Sequence, residues 1–223
     1  MNLNFIFLQC TFGLNHSFHF IKNSYEPIKP FFMTPKATDF IDSSEFPRID
    51  AEENISSTKW LALKTYHWTD QEGIKRKWDV AVRTTKKSDD KADAVVIIPI
   101  LRSKTRPHIV DTLLVEQYRP PMKQTTLEFP AGLVDEGESV DNAALRELRE
   151  ETGYIGEKCS TPPEISRAVC MSPGLSNESV HVVLVEVDLD NPYNQGVPKT
   201  DLEDGEHCVV KRGTLRSETG NTA

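Results

Sequence analysis

The chain has 223 residues, enough for one α/β domain with an N-terminal extension. Its formal net charge of −8, with no basic cluster on any segment, argues against nucleic-acid binding. It contains no apolar run of about 18 residues, which excludes a membrane-crossing helix, and its four cysteines lack disulfide-framework or zinc-site spacing, so free thiols in a reducing, cytoplasmic setting are expected (nuclear or mitochondrial pools being alternatives).

In chain order, residues 1–45 read as a leader, either disordered or an alternative start. Phe5, Ile6, Phe7, Leu8, Phe12 and Phe18 make its first third apolar, yet no basic stretch precedes them and residues 1–32 contain no arginine. Residues 46–88 are β-rich, with Trp60 and Trp78 in strand-like stretches and Trp68 expected to be structural. Strands are predicted at Ala94–Leu101, which is nearly all apolar and so central, and at His108–Glu116, Glu164–Met171 and Val180–Val187. Arg119 falls at the end of the second of these, where Pro120 and Pro121 forbid continuation. A helix is predicted from Ser139 to Thr152, with Gly153 as a left-handed C-cap and Ala144, Leu145 and Leu148 facing the core. Asp190–Thr200 is a loop, and from Lys211 the chain turns polar, leaving residues 213–223 as a tail.

The chemistry concentrates between Gly132 and Gly153. The run reads G-x5-E-x7-R-E-L-x-E-E-x-G, with Gly132, Glu138, Arg146, Glu147, Leu148, Glu150, Glu151 and Gly153 at the fixed positions. At average residue usage of about 7 percent, eight such positions coincide on the order of once in 10⁹ windows, so chance is excluded. On the predicted helix Glu147, Glu150 and Glu151 stand at i, i+3 and i+4 and share a stripe that Ala143 begins one turn earlier. Three like charges there repel by roughly 0.2–0.5 kcal/mol per pair, which a solvated acidic face tolerates. Beside the Gly132–Glu138 loop they make a different object, a hard-cation site of carboxylate oxygens suited to Mg²⁺ or Mn²⁺. Gly132 permits close backbone approach, which offers the Ala131 carbonyl as a further ligand. Arg146 is expected to orient the carboxylates through charge-assisted hydrogen bonds.

This pattern resembles the Nudix box, and the segments around it resemble the ADP-sugar (ADP-ribose) pyrophosphatase branch of that family. They are Trp78-Asp79-Val80-Ala81-Val82-Arg83, Glu116-Gln117-Tyr118-Arg119-Pro120-Pro121, Leu127-Glu128-Phe129-Pro130-Ala131-Gly132, Ser172-Pro173-Gly174-Leu175-Ser176-Asn177 and Glu203-Asp204-Gly205-Glu206, over roughly residues 57–210. The resemblance implies a Nudix α/β/α sandwich with a mixed central sheet over residues 89–212. It also implies an N-terminal antiparallel sheet (46–88) that pairs two subunits into a homodimer. Met33 begins a segment like ordinary family N-termini.

The implied metal ligands are Ala131, Glu147, Glu150 and Glu151, holding Mg²⁺ (or Mn²⁺), with Glu150 and Glu206 as catalytic residues and Glu206 as the general base. The implied substrate contacts are Trp60 and Trp78 on the adenine, Asp79 on its amino group, Arg83 and Arg119 on phosphates, Leu133, and Ser172 towards the terminal ribose. Many members carry an acid at the Ser172 position, so that contact must differ here. Plain structural roles compete with each: core tryptophans, surface salt bridges for the arginines, a solvated loop acid for Glu206. Family members also continue past the Val210 position through another strand and a helix, so apolar surface behind Val180–Val187 is expected to lie uncovered unless the N-terminal leader covers it. The expected activity is metal-dependent hydrolysis of ADP-ribose or another ADP-sugar to AMP and a sugar phosphate. A Nudix hydrolase of another nucleotide, such as an oxidised one, and an impaired ADP-ribose-binding module are the alternatives.

Overall fold

The computed structural model describes residues 20–21, 46–86, 91–159, 165–196, 198–202, 204–215 and 217–218; most of the leader and the last five residues lie outside them. The described residues form a mixed α/β fold, and the chain divides into two compact units. One comprises Ala94–Val169 and Val180–Ala223 with the first 22 residues. The other comprises Asn23–Asp93 together with the excursion Cys170–Ser179.

The strands, in chain order, are β1 (Phe20–Ile21), β2 (Arg48–Ser57), β3 (Leu61–Thr69), β4 (Lys75–Arg83), β5 (Ala94–Arg102), β6 (Val110–Arg119), β7 (Gln124–Glu128), β8 (Ala131–Leu133), β9 (Glu157–Lys158), β10 (Val169–Cys170), β11 (Ser179–Asp188), β12 (Val209–Leu215) and β13 (Ser217–Glu218). The single α-helix among the described residues, α1, spans Val140–Thr152.

In the first unit the large sheet runs β10–β11–β5–β6–β12, with β7 on β6, β8 on β5 and β9 on β11. β5 and β11 pair in parallel over nine positions, from Ala94↔Val180 to Arg102↔Asp188. Both are buried along most of their length, as near-continuous valine and isoleucine runs demand when a strand is covered on both faces. Alternation then sorts the core: Val95, Ile97 and Leu101 of β5, Leu113 of β6, and Val183, Val185 and Val187 of β11 meet Ala143, Ala144 and Leu148 of α1.

Ser139 caps α1, its Oγ accepting from the Asn142 N–H at 3.3 Å, and Asp141 adds favourable charge to the first turn. At the other end Gly153 takes φ 74° and donates to the Arg149 carbonyl at 2.8 Å. A side chain there would be strained, and its Cβ would also strike the backbone of Pro198 and Lys199.

Several expectations need correction. Ala143 lies not on an open acidic stripe but fully buried in the core, because α1 is rolled far enough to bury Glu151 as well. The second predicted strand starts later, at Val110, since residues Arg106–Ile109 turn, and it ends at Arg119, where the two prolines stop it as the sequence predicts. Of the predicted Glu164–Met171 strand, the described part shows only a bridge at Ile165 and the two residues of β10. The Asp190–Thr200 loop includes a 3₁₀ turn at Pro192–Asn194, and the Asn194 amide is buried, bonding both Ile155 and the Asp188 carbonyl.

The polar segment after Val210 is no tail at its start. It is β12, antiparallel to β6, with Arg212 and Thr214 both bonded to the buried Asp111. Its exposed Arg212 and Thr214 share a long-range carboxylate partner, which apolar periodicity cannot register. Behind β11, Val180 and Val182 are buried rather than uncovered, and Leu184 is partly buried.

In the second unit β2, β3 and β4 form an antiparallel meander. Buried Asp70 builds the β3–β4 turn by accepting from the N–H groups of Glu72 and Ile74, each at 2.9 Å. Residues 170–179 join this unit: the Ala81 N–H donates to the Leu175 carbonyl at 2.9 Å, and Ala81 bridges Ser176 in parallel.

Leu148 is fully buried where α1 meets the sheet. Leu148→Ala is expected to lower the unfolding free energy by about 2–5 kcal/mol, visible as a lower midpoint in a denaturant titration.

Candidate metal and phosphate site

α1 and the loop before it assemble the acidic site, and one guanidinium fastens the two together. Arg146 Nε donates to Glu138 Oε1 at 3.1 Å, and Nη2 donates to Glu138 Oε2 and to the Leu133 carbonyl, both at 3.0 Å. Its Nη1 donates to Glu147 Oε1 at 2.8 Å and Glu150 Oε2 at 3.0 Å. Hydrogen bonds and charge from Glu138 first, and from Glu147, hold the arginine firmly protonated against the opposing effect of burial. Glu138, a fixed position of the motif at the end of the loop, is thus the carboxylate that ties loop to helix.

Glu151 faces inward, its Oε2 accepting from the Ala131 N–H at 2.9 Å. Burial first, then repulsion from Glu147 and Glu206, pushes its carboxyl up to about 7 against that hydrogen bond. Burial likewise raises Glu147, with Arg146 pulling the other way and Glu150 and Glu206 adding to the rise. Gly132 sits under Glu147, so close that any Cβ at this position would collide with the Glu147 carboxyl group.

Glu206 therefore lies within electrostatic reach of Glu147 and Glu151, although fifty-five residues separate it from Glu151 in sequence. Cys208, which sequence reasoning passed over, belongs to the same surroundings: burial and the charges of Glu151 and Glu206 push its thiol up to about 11. Arg119 is held by Glu128 in a fork, Nε to Oε1 at 3.0 Å and Nη2 to Oε2 at 2.8 Å, and it feels the Glu151 charge. Thr126 bonds the same Glu128, and Arg119 first, with Thr126, keeps that carboxylate below its usual range despite burial.

Among the described residues no group of three or more His, Cys, Asp or Glu side chains is gathered closely enough to form a ready metal cage; Arg146 stands between Glu147 and Glu150 instead. The donor set still fits a hard divalent cation. It offers carboxylate oxygens only, two of them on groups whose ionisation burial and mutual repulsion oppose, with backbone brought close at Gly132. Ala131, Glu147, Glu150 and Glu151 are the residues that would hold it.

The remaining sequence-read residues lie elsewhere. Leu133 on β8 is exposed, and its carbonyl serves Arg146. In the second unit Trp60 and Trp78 are about half exposed, at 55% and 48%. The Lys59 ammonium sits 4.2 Å from the centre of the Trp60 ring. Trp78 and Asp79 are consecutive in a strand of unbroken register, so their side chains point to opposite faces of the meander, Asp79 sharing its face with Arg83. Asp79 accepts from Thr65 Oγ1 at 2.6 Å. Arg83 is paired with Glu178, a partner invisible from sequence spacing. Ser172 is exposed, and its carbonyl accepts from the N–H groups of Leu175 and Ser176. Trp68 is partly buried, and its indole N–H, fully buried, meets no acceptor.

An acidic helix clamped by an internal arginine to a glycine loop, on a mixed sheet, defines a class, and the NUDIX domain matches residues 90–212, more than half of the chain. The chain belongs to the Nudix family, whose hydrolases generally use a divalent metal. It is 46% identical over 162 residues to the ADP-sugar pyrophosphatase of Mus musculus, covering 73% of this chain and 71% of that one. It is 44% identical over 155 residues to the ADP-ribose pyrophosphatase of Saccharomyces cerevisiae, covering 69% and 64%. A crystal structure of an ADP compounds hydrolase shares the fold, with a TM-score of 0.53 at 18% identity over 76% of this chain and 78% of the other. No helix among the described residues is long and apolar enough to cross a membrane.

Gly132→Ala forces the Glu147 carboxyl to move while leaving the core untouched. Mn²⁺ binding followed by electron paramagnetic resonance is expected to weaken about tenfold or more, equivalent to about 1.4 kcal/mol, with little change in melting temperature. Unaltered Mn²⁺ binding would detach Gly132 from the metal site.

Proposed function

We propose that this chain hydrolyses the pyrophosphate of ADP-ribose or a related ADP-sugar to AMP and a sugar phosphate, using Mg²⁺, with Mn²⁺ able to replace it. The observation that carries the reading is the Glu147, Glu150 and Glu151 set clamped by Arg146 beside Ala131, in a chain so similar to two pyrophosphatases named for these substrates. Ala131, Glu147, Glu150 and Glu151 hold the metal, which when bound polarises the pyrophosphate and offsets charge as the P–O bond breaks. Glu206 takes the proton of the attacking water, its charge already felt by Glu147 and Glu151. Arg119, aimed by Glu128, and Arg83 bind phosphate oxygens.

Trp78 and Trp60 stack on adenine, and their exposure leaves ring faces available. Asp79 reads the adenine amino group, while Leu133 and Ser172 line the remaining substrate. Because Trp78 and Asp79 face opposite sides of one meander, a single β4 does not turn both towards the same ring. A two-fold homodimer, in which each adenine meets residues of both subunits, resolves this. The exposed Leu61 and Leu63, on one face of β3, give that unit apolar surface suited to such pairing. The three described cysteines are free thiols, which fits a reducing, cytoplasmic setting, and the net charge of −8 fits the absence of nucleic-acid partners.

Chromatography of the products formed from ADP-ribose and Mg²⁺ is the test. AMP and ribose phosphate are expected; preference for an oxidised nucleoside triphosphate, or retention of intact ADP-ribose, would replace this reading with another. Glu151→Gln is expected to cut turnover by orders of magnitude while ADP-ribose still binds, as calorimetry would register. Trp78→Ala is expected to raise KM about tenfold or more with a smaller change in kcat, since base–aromatic stacking is worth roughly 1–3 kcal/mol. Unfolding of that variant in circular dichroism would make Trp78 a core residue instead.

A further inference from the structure

We propose that Glu178 is a positioning residue that aims the Arg83 guanidinium at substrate phosphates, and that buried Lys86 holds the segment carrying it. The inference rests on the reading of Arg83 as a phosphate ligand, and its geometry lies wholly within the second unit.

Arg83 ends β4 with its side chain about one-third exposed. Its Nε, at 2.9 Å, and its Nη2 both donate to a single oxygen, Glu178 Oε1. The Arg83 backbone N–H donates to Asn177 Oδ1 at 3.2 Å, so two consecutive residues grip the same arginine. A guanidinium is a planar fork of five N–H donors. Fastening its Nε/Nη2 edge to one carboxylate oxygen fixes the direction of the Nη1 edge, and a fork fixed in this way meets a phosphate with little conformational entropy left to lose.

The segment that presents Glu178 is anchored on both sides of it. Lys86 Nζ donates to the Asn177 carbonyl at 3.0 Å and to Ser179 Oγ at 2.9 Å, and lies 3.6 Å from Asp93 Oδ2. Asp93 and Ser179 also exchange backbone contacts: the Asp93 N–H donates to the Ser179 carbonyl at 3.0 Å, and the Ser179 N–H donates to Asp93 Oδ2 at 3.2 Å. The Lys86 and Asp93 side chains are 7% and 2% exposed. Burying an ammonium and a carboxylate is costly unless both are bonded, and here the bonded partners flank Glu178 directly. Glu178 itself closes a turn, its carbonyl accepting from the Met171 N–H at 3.0 Å. Lys86 and Asp93 thus fix the backbone, Glu178 fixes Arg83, and the Arg83 side chain stays about one-third exposed.

The experiment is a double-mutant cycle on the full chain with ADP-ribose and Mg²⁺, using Glu178→Ala, Glu178→Gln, Arg83→Ala and the Glu178→Ala/Arg83→Ala pair. Glu178→Ala is expected to raise KM about tenfold with kcat within about twofold, the size of one misdirected charge-assisted hydrogen bond. The double variant is expected to be no worse than Arg83→Ala, and Glu178→Gln, which keeps an acceptor oxygen, to recover most of the KM. In nitrogen-15 spectra the Arg83 Nε–H signal should exchange slowly in the native protein and in Glu178→Gln, and be lost in Glu178→Ala. Additive losses in the double variant, an unchanged KM, or a lowered KM showing that Glu178 competes with phosphate would each overturn the proposal. If the native protein leaves ADP-ribose intact, the functional reading fails by itself. The same cycle is then read by calorimetry on ADP binding, where coupling between the two substitutions sustains the positioning role and additivity ends it.

Discussion

The Arg146 guanidinium bonds Glu138, Glu147, Glu150 and the Leu133 carbonyl at once, and the order of the acidic site depends on that arrangement. Without a cation at its centre, the stripe on α1 would splay: three carboxylates within one helical turn, a fourth on the preceding loop and Glu206 nearby repel one another. One planar, permanently charged fork with five donors can answer several of them together, which a lysine ammonium of three donors and no fixed plane would do less well. The residual conflict is visible in Glu151 and Glu147, whose carboxyls burial and neighbouring charge push upward. That conflict is what a divalent cation relieves.

The frame behind this site is conventional hydrophobic physics. β5 and β11 are parallel, apolar and largely buried, and α1 closes over them with Ala143, Ala144 and Leu148. Rigid backing matters because the Ala131 N–H and the Glu151 carboxylate are bonded between β8, paired to β5, and the helix packed on the same sheet. The backbone of the site is thereby fixed from two elements of one core, as preorganised electrostatic sites require.

A second theme is that charged groups in this chain are aimed by other charged groups. Glu128 forks Arg119, Glu178 holds Arg83, Asp111 receives Arg212, and Lys86 and Asp93 are buried together. The partly exposed pairs among them contribute little to stability. Their value here is direction: each arginine keeps one edge committed and so presents the other along a fixed line.

Much of this was legible in the sequence because it is local. The Nudix spacing, the helix with its Ser139 and Gly153 caps, the place of Glu147, Glu150 and Glu151 on one side of it, the apolar Ala94 and Val180 strands and the strand end at Arg119 all depend on residues within a turn or two of each other, where propensity and periodicity act. What only the tertiary structure decided involves partners far apart in the chain. β12 is a strand because β6 offers an edge and Asp111 takes its polar side chains; the roll of α1 buries Ala143 and Glu151 because the sheet beneath fixes it. Trp78 and Asp79, adjacent in sequence, diverge because a paired strand must alternate its faces. Glu178 reaches Arg83 across ninety-five positions, where hydrogen-bond geometry and the burial of Lys86, rather than any local preference, set the contact.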